Sequence, residues 1–258
     1  IGNPINHSLS PELHNHWIKE NGIDATYSKK KMSENEFENL ISEVRQHVIN
    51  GVNVTVPFKN TLIPHMDKLT DEAKRTQSVN TIYQKDNEII GHNTDIEGFE
   101  NSIKKINFNF NNKKIFILGA GGVVPSIVYA SMKMGSSEIL ISNRTKEKAQ
   151  KIKNTFNNIK LVNWGEIPDF DVIINATSLG LNQNDEINLD FTNVGKNKLF
   201  YDVIYNPSET NFLSSAKKTG NKYENGKLMF IYQAFLAFKL WHGIEPSIND
   251  HTMKLLNL

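Results

Sequence analysis

Lys114-Ile115-Phe116-Ile117-Leu118-Gly119-Ala120-Gly121-Gly122 is the stretch on which the fold turns. Ile115 to Leu118 is an unbroken apolar run, the pattern of a strand covered on both faces in a parallel sheet. It runs straight into glycines, with a helix expected from there to Met134 and a second strand at Ile139-Leu140-Ile141. Strand, glycine turn, helix and strand make the opening unit of a dinucleotide-binding fold. Further strands are expected at Val172-Ile173-Ile174 and from Leu199 to Ile204, so residues 114 to 220 have the alternation of a doubly wound α/β sheet.

The chain before that unit has a different texture. Ser10-Pro11-Glu12 predicts a helix with Ser10 as N-cap and Gly22 as its stop. Ala25 to Lys30 is expected to be extended. Ser33 to Glu36 is a capping box ahead of Phe37, Leu40, Ile41 and Val44, which share one helical face. Gly51 to Val56 is β-branched, alternating, and stopped by Pro57. A short helix at Thr70-Asp71-Glu72, a hairpin around Asp86-Asn87 and a second capping box at Thr94 to Glu97 follow. After Gly226 a long helix is expected through His242, then a short one from about Ile248. These last helices have no strands of their own and are expected to pack on the first domain. The predicted organisation is therefore a discontinuous unit of residues 1–95 and 227–258, interrupted by a nucleotide-binding unit of residues 96–226.

Composition narrows the chemistry. The 258 residues carry 29 basic and 28 acidic side chains, a formal net charge of +1, with no single-sign field of the kind nucleic-acid binding uses. The absence of cysteine removes disulfides, thiolate metal sites and cysteine nucleophiles. The longest apolar stretch, Leu228 to Leu240, contains Gln233 and Lys239 and falls short of the roughly 20 residues that span a bilayer. No signal peptide is visible. The chain opens at Ile1-Gly2 without an initiator methionine, so leading residues are expected before it. His14 and His16 stand one residue apart on a helix and point to different faces, which argues against a metal. The expectation is a cytoplasmic protein that acts on small molecules and binds neither nucleic acid, membrane nor metal. No patch in the sequence specifies an oligomeric state.

Several residues have the right chemistry for a site. Gly119, Ala120, Gly121 and Gly122 put unobstructed N–H groups at the positive end of a helix, which suits a pyrophosphate. The loop after the second strand, Ser142-Asn143-Arg144-Thr145-Lys146-Glu147-Lys148, offers Arg144, Thr145 and Lys148 and has no acid at the strand end. That favours the 2′-phosphate of NADP over the free ribose of NAD. Asn175-Ala176-Thr177-Ser178 closes another strand at the same sheet edge, as a cofactor contact or simply as a polar exit. Ser8 and Ser10 flank Leu9 at a helix start and suit a small carboxylate, although Ser10 is equally well an N-cap. Thr55 and Lys59 bracket Val56-Pro57-Phe58; a lysine there is otherwise a solvated surface residue. Asp95 opens a helix, where the dipole alone accounts for an anion. Gln233 is the one amide in the apolar run of the last long helix and must find partners.

Taken in order, Ser8-Leu9-Ser10-Pro11, Asn53 to Lys59, Asn93-Thr94-Asp95, Gly119 to Gly122, Asn143-Arg144-Thr145, Asn175-Ala176-Thr177 and Tyr201 to Pro207 make the chain resemble the shikimate dehydrogenase family over essentially its whole length. The resemblance implies an N-terminal α/β substrate domain, a Rossmann-type NADP(H)-binding domain, and C-terminal helices returning to the first. It implies reversible NADPH-dependent reduction of 3-dehydroshikimate to shikimate. Ser8 and Ser10 match the family's carboxylate-binding serines. Thr55, Asn80, Asn93 and Gln233 match positions that contact the substrate hydroxyls or the residues that do, and Tyr205 joins that set. Lys59 and Asp95 match the catalytic pair. The cofactor set comprises Gly119, Ala120, Gly121, Gly122, Asn143, Arg144, Thr145, Lys148, Ala176, Thr177, Ser178 and Gly226. Val124 at the sixth position of the glycine loop, Pro125 after it, His92 and Ile96 depart from commoner family spellings; Val124 is expected to push its helix from the sheet and weaken cofactor binding. The rival readings are a dehydrogenase that takes quinate or NAD, and a non-catalytic NADP-binding regulator.

Overall fold

Helices and strands alternate from end to end in the computed structural model, which describes residues 1–182 and 185–255. Among the described residues, contacts divide the chain into two units, Ile1–Gly98 with residues 231–255, and Phe99–Phe230.

The first unit contains α1 (Ser10–Glu20), α2 (Phe37–Arg45), β1 (Gly51–Asn53), β2 (Lys68–Leu69), α3 (Asp71–Thr76), β3 (Thr81–Lys85), β4 (Glu88–His92) and the start of α4 (Asp95–Lys105). Its sheet runs β1-β3-β4-β2, antiparallel except for the β2/β4 pair. The β3–β4 turn uses Asp86 and Asn87 at φ 51° and 62°, the left-handed conformation that tightens a two-residue hairpin. The capping box ahead of α2 is formed, with Ser33 N–H donating to Glu36 Oε2 at 2.9 Å. Phe37, Leu40, Ile41 and Val44 then pack with Val52, Ile82 and Ile89 as one core.

In the second unit the chain continues as β5 (Lys114–Leu118), α5 (Val124–Lys133), β6 (Glu138–Ser142), α6 (Lys146–Thr155), β7 (Ile159–Val162), β8 (Val172–Asn175), β9 (Leu199–Asp202), α7 (Asn211–Lys218) and β10 (Lys222–Glu224). All six strands are parallel, in the order β10-β9-β8-β5-β6-β7. Counted from the far edge this is 3-2-1-4-5-6, the doubly wound order whose direction reverses between β5 and β8. A ligand is expected beyond the carboxyl ends of those two strands. Ile115 to Leu118 and Val172 to Ile174 have no exposed surface, as their unbroken apolar runs require.

Helices α8 (Lys227–His242) and α9 (Asp250–Leu255) end the described chain, and from Ile231 they belong to the first unit. There the Trp241 indole donates to the Ile82 carbonyl at 3.1 Å, and the Trp17 indole to the Ser247 carbonyl at 3.0 Å.

Four local expectations are corrected. Ala25 to Lys30 joins no ladder, and a single parallel bridge pairs Gly2 with Lys31; the Asn15 side chain takes both backbone groups of Tyr27 that a strand neighbour would use. Ser10 is the first residue of α1 and not its cap, because its N–H already reaches the Ser8 hydroxyl at 3.3 Å. The N–H that Thr94 would offer to Glu97 in a capping box goes to Asn80 Oδ1 at 2.8 Å. The strand from Leu199 stops at Asp202, whose carboxylate accepts the Ile204 N–H at 3.0 Å and turns the chain. The short strands β2, β7 and β10, each interrupted or flanked by a charged residue, carry no signal in the sequence comparable to that of β5.

Candidate active site

In the first unit, β1, β3 and β4 lie side by side, and their register lines up Asn53 with Thr81 and Thr81 with His92. The polar residues at this edge form one network. Lys59 Nζ donates to Asp95 Oδ2 at 2.5 Å, and the two side chains are only 13% and 8% exposed. Shielded from water, such a pair is held far more firmly than one on the surface. Asp95 sits in the first turn of α4, where the helix dipole favours its anion. Its other oxygen, Oδ1, accepts from Asn80 Nδ2 at 2.9 Å.

Asn80 is buried and fully engaged. Its second amide proton goes to the Thr94 hydroxyl, and its Oδ1 accepts from Thr94 N–H and from the Thr81 hydroxyl. Asn93, also buried, accepts the Asp95 N–H on Oδ1 at 3.1 Å and donates from Nδ2 to the Thr76 hydroxyl at 3.1 Å. Both amides thus shape the environment of Asp95. Thr55 N–H donates to the Ile1 carbonyl, and the Thr55 carbonyl accepts the Phe58 N–H, which closes the turn leading to Lys59. Ser8 and Ser10 are half-buried at the start of α1.

Gln233, on α8, lies where α8 crosses α4. A β-carbon placed on Gly98 would come within 2.9 Å of the Gln233 backbone nitrogen and 3.0 Å of its Cβ. Only glycine lets the two helices approach this closely one turn after Asp95.

The remaining candidates lie in the second unit. Gly119, at φ +112°, leaves β5 in a conformation that L side chains rarely adopt, and a β-carbon there would meet the Ala176 carbonyl at 2.7 Å. Gly121 and Gly122 are exposed ahead of α5 and themselves carry no side chain at the turn into that helix. Val124 is the first residue of α5 and is fully buried, and its N–H closes the turn on the Gly121 carbonyl at 3.0 Å. The Ala176-Thr177-Ser178 loop is pinned by Asn175, which accepts both the N–H and the hydroxyl of Thr177 and donates to the Leu179 carbonyl and to Asp202. Burial lifts the Asp202 carboxyl to about 6, while Thr210, Ile204 and Asn175 all donate to it. Asn143 caps its own loop by donating to the Thr145 carbonyl at 2.8 Å, and Arg144, Thr145 and Lys148 are exposed beside it. Gly226 is buried against the Val203 carbonyl, which a β-carbon would approach to 2.1 Å. Tyr205 stacks on Phe230 at 4.5 Å, so it stands in the second unit, apart in the chain from the other proposed substrate residues.

The open glycine turn at the reversal point of the sheet and the cationic loop after β6 fit a 2′-phosphorylated dinucleotide. Among the described residues no group of three histidine, aspartate or glutamate side chains is placed to hold a metal. Sequence reasoning passed over Asn53 and Tyr27, although Asn53 feeds hydrogen bonds into the Asn80 carbonyl and the Thr81 hydroxyl. The signal for Asn53 was its place two residues before Thr55 in the same strand-to-turn motif.

A nucleotide-binding sheet joined to a unit with a buried lysine–carboxylate pair defines an oxidoreductase of the two-unit α/β class. Comparison with known proteins gives the family. Residues 1–82 match the shikimate dehydrogenase substrate binding domain, residues 101–201 the shikimate / quinate 5-dehydrogenase family, and residues 228–250 the shikimate 5′-dehydrogenase C-terminal domain. The chain is 55% identical to the shikimate dehydrogenase (NADP(+)) of Pelagibacter ubique, over 100% of its own length and 97% of that protein. It superposes on the shikimate dehydrogenase of Aquifex aeolicus with a TM-score of 0.90 at 35% identity, covering 100% and 96% of the two chains. For the Thermus thermophilus enzyme in complex with NADP(H) and shikimate the TM-score is 0.89 at 29% identity, covering 99% and 97%. The chain belongs to the shikimate dehydrogenase family.

Proposed function

We propose that the chain catalyses the reversible NADPH-dependent reduction of 3-dehydroshikimate to shikimate, with Lys59 and Asp95 handling the proton. Bound NADP(H) supplies or accepts the hydride. Gly119, Ala120, Gly121 and Gly122 would hold its pyrophosphate, and Asn143, Arg144, Thr145 and Lys148 its 2′-phosphate. Ala176, Thr177, Ser178 and Gly226 complete the cofactor set. Ser8 and Ser10 would take the substrate carboxylate, with Thr55, Asn80, Asn93 and Gln233 shaping the remainder of its site.

Reduction of a ketone leaves charge on the carbonyl oxygen, so a proton must be held ready there. The observation that carries the reading is the shielded Lys59–Asp95 contact. An ammonium kept in place by a carboxylate donates during reduction, and the same pair takes the proton back during oxidation. The joint presence of both groups favours an enzyme over a binding-only regulator. The reading assigns the chain to the cytoplasm; among the described residues no helix is long and apolar enough to cross a membrane.

The test follows NADPH absorbance after shikimate and NADP+ are mixed with the protein. Lys59→Ala should lower kcat about a thousandfold, within the range for loss of a general acid–base group, with KM for shikimate changed far less. Comparable turnover by a folded Lys59→Ala protein would remove the lysine from the mechanism.

A further inference from the structure

The hydrogen-bond chain behind Asp95 does not end at Asn80. Asn53 donates from Nδ2 to the Asn80 carbonyl at 3.2 Å and to the Thr81 hydroxyl at 3.3 Å. That fixes its amide plane, and its Oδ1 accepts from the Tyr27 hydroxyl at 2.8 Å. The Tyr27 hydroxyl therefore stands at the far end of the network that terminates at the Lys59–Asp95 pair.

Tyr27 is itself held with unusual care for a residue outside any regular element. Asn15 clasps its backbone, donating from Nδ2 to its carbonyl and accepting its N–H on Oδ1, both at 2.8 Å. The His14 ring lies parallel to the phenol ring, 6° from coplanar with centroids 4.3 Å apart. His14 has no exposed surface, and among the described residues neither of its ring nitrogens has a hydrogen-bond partner. A buried imidazole used only as a packing face costs free energy, since its polar atoms go unsatisfied. Two consecutive residues of α1 are thus given over to fixing one phenol.

We propose that Tyr27 is a positioning residue, whose hydroxyl sets the orientation of the Asn53 amide and, through Asn53 and Asn80, the seating of Asp95. The inference rests on the roles given above to Lys59 and Asp95. The ring serves the aromatic cluster, and the oxygen serves the site, so the two roles separate chemically.

Tyr27→Phe removes the oxygen and keeps the ring against His14. In the full chain with shikimate and NADP+, kcat/KM for shikimate should fall about tenfold, the worth of one well-made hydrogen bond. KM for NADP+ at saturating shikimate and the melting temperature should stay at their wild-type values. In the Asn53→Ala background Tyr27→Phe should cause little further loss, because the phenol acts on Asp95 through Asn53. A kcat/KM within twofold of wild type, equal losses toward both substrates with a lowered melting temperature, or full additivity with Asn53→Ala would each overturn the proposal. If the wild-type chain does not reduce NADP+ with shikimate, the dehydrogenase reading falls and takes this inference with it; wild-type turnover with an unaffected Tyr27→Phe defeats this inference alone.

Discussion

His14 shows how a single side chain ties packing to pH. Burial, with a smaller contribution from His242, pulls its pKa down to about 3. The unfolded chain, with an ordinary imidazole, takes up a proton first as the pH falls. The stability that neutral His14 permits is therefore intact above the unfolded pKa of about 6.5 and is lost progressively as pH drops toward 3. At pH 5 the loss amounts to about 2 kcal/mol by linkage. His14→Phe keeps a ring against Tyr27 and has nothing to protonate, so its urea midpoint should shift less between pH 7 and pH 5 than the wild-type midpoint does. Equal shifts in the two proteins would assign acid sensitivity elsewhere.

Among elements, the crossing of α4 and α8 at Gly98 carries the most consequence for the site. A methyl group at Gly98 would meet backbone atoms of Gln233, which yield less readily than a side-chain tip. Alanine gains about 1 kcal/mol of helix propensity over glycine, but overpacking costs about 1–3 kcal/mol and outweighs it. Gly98→Ala should lower stability by up to about 2 kcal/mol in denaturant titration and raise KM for shikimate as Gln233 is displaced. A variant as stable as wild type would show that the helices part freely. This crossing was invisible in the sequence, where Gly98 is one more residue inside an amphipathic helix. The central strands β5, β6 and β8 were legible because burial on both faces leaves an unbroken apolar run. Strands β7 and β10, at the sheet edges, have no such run. Likewise Lys59 and Asp95 are 36 positions apart, and no local pattern pairs them; the motif resemblance did. Asn53 and Tyr27 escaped notice because the register of β1 on β3, together with the Asn15 clasp, makes their contacts.

For the molecule as a whole, cofactor preference should reside in one exposed loop of the second unit. Arg144 stands exposed beside Thr145 and Lys148, the groups proposed to take the 2′-phosphate that NAD lacks. Removing one charge-assisted contact costs about 1.5–3 kcal/mol, so Arg144→Ala should raise KM for NADP+ roughly 10- to 100-fold and leave KM for NAD+ unchanged. Parallel changes for both cofactors would place the discrimination elsewhere. The first unit is assembled from both ends of the chain, and this bears on how the protein comes into being. Leu13 and Trp17 are fully buried, and part of their cover is Phe238 of α8, whose ring meets that of Trp17 edge-on at 5.7 Å. During synthesis the N-terminal segment leaves the ribosome first, yet it must wait with its aromatic face open while the whole of Phe99–Phe230 is made. The nucleotide unit is then the first to be finished, and the unit bearing Lys59 and Asp95, though begun earlier, is the last.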